Sequence, residues 1–200
     1  MKILKRYICS TTVHAYEDTE LEVAEQKYSS AKTAINGKQG KLPAIFKMVK
    51  FPSSSLVLDY GGGTIESEQV ANAYLSQFDC EDVVYDPYNK SSAEQSEAIK
   101  KIRQNGGADI AVCSNVLNVI AEESARIALL KNIKKLTKSG APVYFTVYEG
   151  SKEQQSRGAR MTKEDQYQNF RGTSTYLEEV QSVFPDAYMK NSKLIAATNS

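Results

Sequence analysis

The stretch LDYGGGTIESEQV (residues 58–70) predicts the junction between a buried strand and a helix. The apolar run Leu56–Leu58 leads into Asp59, and three glycines, Gly61–Gly63, precede the helical pattern. Glycines at a strand end let the backbone turn tightly and approach a ligand closely, and the following helix presents its positive N-terminus there. The stretch therefore predicts a ligand-binding turn.

On either side of this turn, short apolar runs alternate with helical patterns. Strands are predicted over residues 56–60, 82–85, 108–113 and 143–148, and helices over 66–78, 92–103, 122–138 and 175–184. Two short strands, over 187–189 and 194–198, predict an antiparallel C-terminal edge. The alternation predicts an α/β fold that is Rossmann-like and doubly wound, with a mostly parallel sheet and helices on both faces.

The chain is interpreted as a single domain, with an N-terminal cap or helical segment over 1–50 and a Rossmann-like core over 51–200. In the cap, residues 17–26 predict a surface helix, 29–41 a loop, and Pro43 opens a short helix at Ala44. In the core, capping boxes are predicted for Ser92 with Gln95 and for Thr175 with Glu178.

Composition argues against several classes of protein. A net charge of +1 without a strong basic cluster does not favour a nucleic-acid binder. Cys9, Cys80 and Cys113 are far apart, which disfavours a disulfide framework or a zinc site and fits a reducing cytoplasm. The one histidine, His14, cannot form a His-based metal cluster, and we expect no metal. No apolar run approaches the roughly 18 residues of a spanning helix, so we expect no membrane segment.

Three ligands compete for the glycine turn. A phosphate-binding P-loop requires GxxxxGK[ST], and no Lys-Ser or Lys-Thr follows here. A dinucleotide site requires GxGxxG; Gly61 and Gly63 fit, but Glu66 stands at the third position and would repel a pyrophosphate. This disfavours a nicotinamide-dependent oxidoreductase.

Two acidic residues favour the third ligand. The Asp59 carboxylate suits a ligand with a cationic amino-acid end, and Asp86 ends the second predicted strand, where an acid accepts hydrogen bonds from ribose hydroxyls. A ligand with an ammonium, a sulfonium and a ribose but no phosphate is S-adenosylmethionine.

At these residues the chain resembles the class I S-adenosylmethionine-dependent methyltransferases. LVLDYGGG (56–63) is similar to the first motif of that family, and VVYDPYN (83–89) to its second-strand acidic motif. KTAIN (32–36) and SNVLNVI (114–120) are similar to a subgroup, the methyltransferase-like proteins found with DNA phosphorothioation genes and in phages. The resemblance covers residues 30–150.

The resemblance implies a set of cofactor-binding residues. The glycine turn and its acid would surround the methionine moiety, Asp86 would bind the ribose, and Pro87 with Tyr88 would lie near the adenine. Ser114 and Asn115 would line the pocket, and Thr33 would close it from the N-terminal side. The turn contributes Asp59, Tyr60, Gly61, Gly62 and Gly63. Asn115 and Asn118 have an alternative role as caps of the following helix.

Two departures from the family pattern leave a second function open. Ile65 stands where members often have a third glycine, and residues 91–105 predict a helix where a third strand is usual. The first hypothesis is an S-adenosylmethionine-dependent methyltransferase with an unknown acceptor. The alternative is a catalytically degenerate binding module in a DNA-modification or phage-related system.

No catalytic residue is forced by the sequence, because methyl transfer is an in-line displacement that mainly requires alignment, with a base where the acceptor carries a proton. Tyr148 and Glu149 are candidates near a strand end. Asp165, Tyr167 and Gln168 are candidates in a polar segment, 150–172, that is a candidate lid. Asp86-Pro87-Tyr88 resembles the DPPY signature of amino-methylating nucleic-acid enzymes but follows the wrong strand, so no base-methylation motif is assigned.

Overall fold

Six strands form one sheet in the computed structural model, which describes residues 21–22, 24, 26–28, 40–161 and 166–200. The strands are β1 (Leu56–Tyr60), β2 (Glu81–Tyr85), β3 (Ile110–Ser114), β4 (Pro142–Thr146), β7 (Tyr188–Asn191) and β8 (Leu194–Thr198). Their spatial order is β2-β1-β3-β4-β8-β7, with the first four strands parallel and the last two antiparallel to their neighbours. A separate hairpin pairs β5 (Arg160–Met161) with β6 (Tyr167–Gln168).

Helices cover both faces of this sheet, as the alternating pattern predicts. They are α1 (Ile45–Met48), α2 (Ile65–Leu75), α3 (Ser92–Gln104), α4 (Glu123–Leu136), α5 (Lys152–Arg157) and α6 (Leu177–Gln181). One face buries Leu58 and Phe145 with side chains of α3, α4 and α6. The other buries Val57 and Val112 with side chains of α1 and α2. The predicted doubly wound fold with an antiparallel C-terminal edge is confirmed.

Several element boundaries differ from the sequence prediction. The predicted helix over 66–78 begins at Ile65 and changes to a 3-10 turn, Ser76–Phe78, before Asp79 in a left-handed conformation (φ 58°) ends it. The predicted strand over 143–148 ends at Thr146, and the predicted helix over 175–184 is confined to α6, after a 3-10 turn at Thr173–Tyr176. Residues 21, 22, 24 and 26 of the predicted surface helix are not helical.

Both predicted capping boxes are wrong. At α3 the box is one residue earlier, because the Ser91 side chain accepts from Glu94 N and Glu94 receives the Ser91 N–H. Gln95 instead donates its side-chain amide to Lys90 O (3.0 Å). The Thr175 hydroxyl donates backwards to Gly172 O (2.8 Å) within the 3-10 turn, so it cannot cap α6.

Strand β2 lies at one edge of the sheet, because α3 leads directly into β3 without an intervening strand among the described residues. The sequence prediction of a missing third strand is therefore confirmed. The Asp82 N–H at this edge donates to Asn72 Oδ1 of α2 (3.0 Å). A side chain thus occupies a position where a neighbouring strand would bond.

A buried ion pair ties the C-terminal part of the chain to α4. Arg126 of α4 donates from Nε and Nη2 to both carboxylate oxygens of Glu179 in α6 (2.6 and 3.0 Å). Its Nη1 donates to the carbonyls of Ile120 and Ala121, both at 2.8 Å. Arg171 also bonds Glu179 and stacks over the Tyr176 ring, 3.8 Å from its centroid. The network links the loop after β3 to the segment before β7.

None of the helices in the described ranges is long and apolar enough to span a membrane.

Candidate functional site

The glycine turn lies where the carboxyl ends of β1, β2 and β3 meet. Tyr60 is in register with Tyr85, and Asp59 with Val112, so residues that follow the three strands share one edge of the sheet. The Gly61 N–H donates to Tyr85 O (2.8 Å), which continues the ladder past β1. Ligands of open parallel sheets bind at this edge.

Two glycines of the turn occupy space that admits no side chain. Gly61 has a φ of +78°, and a Cβ there would lie 2.5 Å from Val116 Cγ2. A Cβ on Gly62 would lie 2.5 Å from Asp59 Oδ2 and 3.1 Å from Val84 Cγ1. Since real Cβ atoms do not approach other atoms so closely, the backbone of the turn is pressed against the loop after β3 on one side and Asp59 on the other.

Asp86 fastens the turn to the loop after β2. Its Oδ2 accepts from Gly63 N and from Asn89 Nδ2, both at 2.9 Å, and its Oδ1 accepts from Tyr88 N (2.9 Å) and Asn89 N (3.0 Å). Only 4% of the residue is exposed. Asp86, which the sequence analysis predicts to bind the ribose, therefore accepts hydrogen bonds from the backbone of the turn and of the loop after β2.

Carboxyl groups dominate the charge beneath the turn. Burial, together with the nearby charges of Asp86 and Glu68, raises the pKa of Asp59 to about 7. Burial also raises the pKa of Asp82 well above its usual range, and its carboxyl oxygens have no hydrogen-bond partner in the described part of the chain. Lys90, itself buried, pairs with Glu68 and with Glu94. The negative charge of these carboxylates would repel a phosphate group.

The other predicted binding residues lie in different places. Ser114 and Asn115 lie at the end of β3, where the Ser114 hydroxyl is 3.3 Å from Thr146 Oγ1 and Asn115 adopts a left-handed φ of 60°. Pro87 is half-buried in the loop after β2. The Tyr60 side chain packs on the face of the sheet that α3, α4 and α6 cover, where its hydroxyl accepts from Asn132 Nδ2 (3.2 Å). Thr33 lies outside the described residues.

The candidate catalytic residues lie after β4 and in the β5–β6 segment. Tyr148 is 53% exposed and meets Phe170 edge to face. Glu149 Oε1 accepts from the N–H and the hydroxyl of Thr173 (2.7 and 2.8 Å). The Tyr167 ring stacks on that of Tyr28, with centroids 6.0 Å apart. Gln168 neighbours Tyr167 in β6, and Asp165 lies outside the described residues.

Two asparagines near the site have surroundings that the sequence analysis did not predict. Asn89 donates to Asp86 from both its backbone and its side chain; its place three residues after the acid is the signal that could have found it. Asn118 is 1% exposed, and its side-chain amide has no partner among the described residues. Neither Asn115 nor Asn118 caps α4, whose N-cap is Glu122.

Metal binding has no support in this arrangement, because the described residues contain no group of three or more His, Cys, Asp or Glu side chains that could hold an ion. The acids beneath the turn instead accept hydrogen bonds from the backbone, pair with Lys90, or have a pKa raised by burial.

No protein-family model matches the chain, and no curated protein matches it in sequence. Solved structures do match. The 1,6-didemethyltoxoflavin-N1-methyltransferase of Burkholderia thailandensis, with bound 1,6-didemethyltoxoflavin and S-adenosylhomocysteine, matches with a TM-score of 0.50 and 14% identity over 83% of this chain and 79% of that one. This similarity establishes the fold: the chain has the α/β fold of class I S-adenosylmethionine-dependent methyltransferases.

Two further structures have lower scores. Human N-acetylserotonin methyltransferase, in complex with S-adenosylmethionine, has a TM-score of 0.49 and 17% identity over 82% of this chain, which spans only 51% of the human enzyme. The TehB-like methyltransferase of Corynebacterium glutamicum has a TM-score of 0.44 and 17% identity over 82% of this chain and 86% of that one. These similarities do not connect the chain with phosphorothioation genes or phages, nor do they favour a degenerate module.

Proposed function

We propose that the protein is an S-adenosylmethionine-dependent methyltransferase whose methyl acceptor is not yet defined. The observation that carries the proposal is the pairing of a side-chain-free glycine turn with the buried acids Asp59 and Asp86 at the carboxyl edge of the sheet. A cationic, phosphate-free nucleoside fits this environment, whereas a pyrophosphate would meet Asp59, Asp86 and Glu68.

The residues at the turn fit this cofactor. Without side chains, Gly61 and Gly62 let the turn pack closely against Val116 and Asp59, and the backbone of Gly61–Gly63 is proposed to contact the methionine moiety while Asp59 attracts its ammonium group. Asp86 faces the ribose side, with Pro87 toward the adenine. Ser114 and Asn115 at the end of β3 would line the pocket, and the Tyr60 backbone leads into the turn; the role of Thr33 rests on the sequence resemblance alone.

The cofactor supplies a methyl group on a sulfonium, and the chain's task is to align an acceptor with it. Tyr148, exposed after β4, and Tyr167 in β6 are our candidates for contact with the acceptor. Glu149 and Asp165 remain candidates for a base, and Gln168 remains a candidate in the polar segment without that role. A place in a phosphorothioation or phage system, and a cytoplasmic location, rest on the sequence motifs and the cysteines alone.

Calorimetric titration with S-adenosylmethionine, S-adenosylhomocysteine and NAD tests the cofactor. We expect micromolar binding of the first two and none of NAD. In Gly61→Ala the methyl group would strike Val116, so binding should be lost. Gly140→Ala is the matched control, because Gly140 has a similar φ of +80° with no atom within 4 Å of the added Cβ.

The outcomes separate the hypotheses. Binding that survives in Gly61→Ala, or absence of binding to the unmodified protein, would contradict the cofactor assignment. Binding without turnover across a panel of small-molecule, nucleic-acid and protein acceptors would favour the degenerate module. Loss of turnover with retained binding in Tyr148→Ala or Tyr167→Ala would support their contact with the acceptor.

A further inference from the structure

The carboxylate of Asp86 has no acceptor position left for a ribose. A carboxylate offers about four lone-pair positions, and Asp86 accepts four hydrogen bonds, two at each oxygen. A ribose hydroxyl can therefore donate to Asp86 only by replacing one of the present donors.

Three of the four donors are backbone N–H groups that cannot leave without unfolding the site. Gly63 N belongs to the turn between β1 and α2. Tyr88 N and Asn89 N belong to a loop closed by Lys90, whose N–H donates to Asp86 O (3.0 Å) and whose ammonium is buried against Glu68. These bonds define the shape of the site.

The fourth donor is a side chain. Asn89 Nδ2 donates to Asp86 Oδ2 (2.9 Å), and the residue is only half-buried. Rotation of its side chain breaks this bond while the Asn89 N–H continues to hold Oδ1. Asn89 is thus the one donor that can leave with the fold of the loop intact.

We propose that the Asn89 amide is an exchangeable occupant of the ribose position: it saturates Asp86 Oδ2 in the free protein, and a ribose hydroxyl replaces it there when a nucleoside ligand binds. The inference rests on the proposed function. It makes Asn89 a specificity-determining residue, because its competing bond reduces the gain in affinity from a ribose hydroxyl.

Asn89→Ala removes the competing donor and keeps the three backbone donors. We expect this variant to bind S-adenosylhomocysteine about 2- to 10-fold more tightly, the range of one net hydrogen bond. The counterpart lacking the ribose hydroxyl that reaches Oδ2, either 2′-deoxy or 3′-deoxy, should show no such gain. Asn89→Ser serves the same comparison if Asn89→Ala fails to fold.

Gln95→Ala is the matched control. Gln95 Nε2 donates to Lys90 O of the same loop without contacting Asp86, so its loss loosens the loop and leaves the Asp86 donors in place. We expect the ratio of ribose to deoxyribose affinity to stay unchanged in Gln95→Ala and to rise in Asn89→Ala.

A weakening of ribose and deoxyribose ligands by equal factors in Asn89→Ala would show that Asn89 only orders the loop, which overturns the inference and leaves the cofactor assignment intact. An unchanged ratio would do the same. If neither the unmodified protein nor Asn89→Ala bound S-adenosylhomocysteine, the proposed function would fail and the inference with it.

Discussion

The protonation of Asp59 should make the proposed cofactor binding depend on pH. Burial with Asp86 and Glu68 nearby raises the pKa of Asp59 to about 7, so its carboxyl is largely neutral below that value. The proposed contact with an ammonium group requires the carboxylate. Affinity for S-adenosylhomocysteine should therefore rise about tenfold between pH 6 and pH 8, and binding at pH 6 should release a proton.

Calorimetry in two buffers of different ionisation enthalpy measures this proton release. In Asp59→Asn both the pH dependence and the proton release should disappear, and affinity at pH 8 should fall. Equal affinities at pH 6 and pH 8 in the unmodified protein would rule out the contact between Asp59 and the ammonium.

Asn118 is a buried amide whose removal should stabilise the fold. Among the described residues its side chain has no hydrogen-bond partner, so none of them offsets the cost of burying the amide. Asn118→Leu, which keeps the branched shape without the polar atoms, should raise the free energy of unfolding by about 1–3 kcal/mol, measured by urea denaturation. A concomitant loss of turnover would show that the amide is kept for an acceptor.

Asn132 provides the contrasting case. Its amide is bonded to Glu22 N (2.7 Å), Glu22 O (2.9 Å) and the Tyr60 hydroxyl. Asn132→Leu should lower the free energy of unfolding by about the same 1–3 kcal/mol. If the two variants changed the free energy of unfolding in the same direction, the presence or absence of hydrogen bonds to the amide would not explain the change.

At the scale of elements, two capping boxes are possible at the start of α3, and mutation can tell which of them stabilises the helix. The Ser91 side chain accepts from Glu94 N, whereas Ser92 is the first residue of the helix. Ser91→Ala should lower the free energy of unfolding by about 1 kcal/mol, and Ser92→Ala should change it by less than about 0.5 kcal/mol. Thermal or urea unfolding of the two variants measures the difference; the reverse order would restore the box predicted from sequence.

Periodicity located the elements better than their ends. The strand at Leu56–Tyr60 was predictable because its apolar run is followed at once by glycines. The capping box at α3 was predicted one residue too late, because Ser91 with Glu94 and Ser92 with Gln95 have the same spacing. Only the backbone conformation decides which serine caps the helix. The end of β4 at Thr146 was not predictable because Tyr148 continues the apolar pattern after pairing has stopped.

The site was predictable in part for the same physical reason. Glycines with positive φ and an acid at a strand end leave a local signature, so Gly61, Asp59 and Asp86 could be found. The fourth bond to Asp86 and the unpartnered amide of Asn118 depend on how side chains meet in space, and no local pattern encodes them.

Across the whole molecule, the pair Arg126–Glu179 joins segments that are distant in sequence. Arg126 is 6% exposed, so Arg126→Met removes one of the two guanidinium partners of Glu179, leaves Arg171 in place, and should lower the free energy of unfolding by about 1–3 kcal/mol. The exposed pair Arg157–Glu153 is the control, since Arg157→Met should change stability by less than about 1 kcal/mol.

The effect of Arg126→Met should also depend on pH. Burial raises the pKa of Glu179, but hydrogen bonds and charge from Arg126 and Arg171 outweigh it, so that pKa is lowered below its ordinary 4.5. A lowered pKa stabilises the fold above pH 4.5, and the gain is lost as the pH falls. The stability difference between the unmodified protein and Arg126→Met should therefore shrink below pH 4.5, and a constant difference down to pH 3 would contradict the role of Glu179.

The edge strand β2 bears on how the molecule behaves at high concentration. An unpaired edge is a template onto which a strand of another chain can add, and inward-pointing polar groups make that addition unfavourable. Here Asn72 already occupies the Asp82 N–H, and the Asp82 carboxyl points into the protein without a partner in the described ranges. By occupying this N–H, the Asn72 side chain removes a donor onto which a strand of another chain could add, so the edge is a poorer template for aggregation.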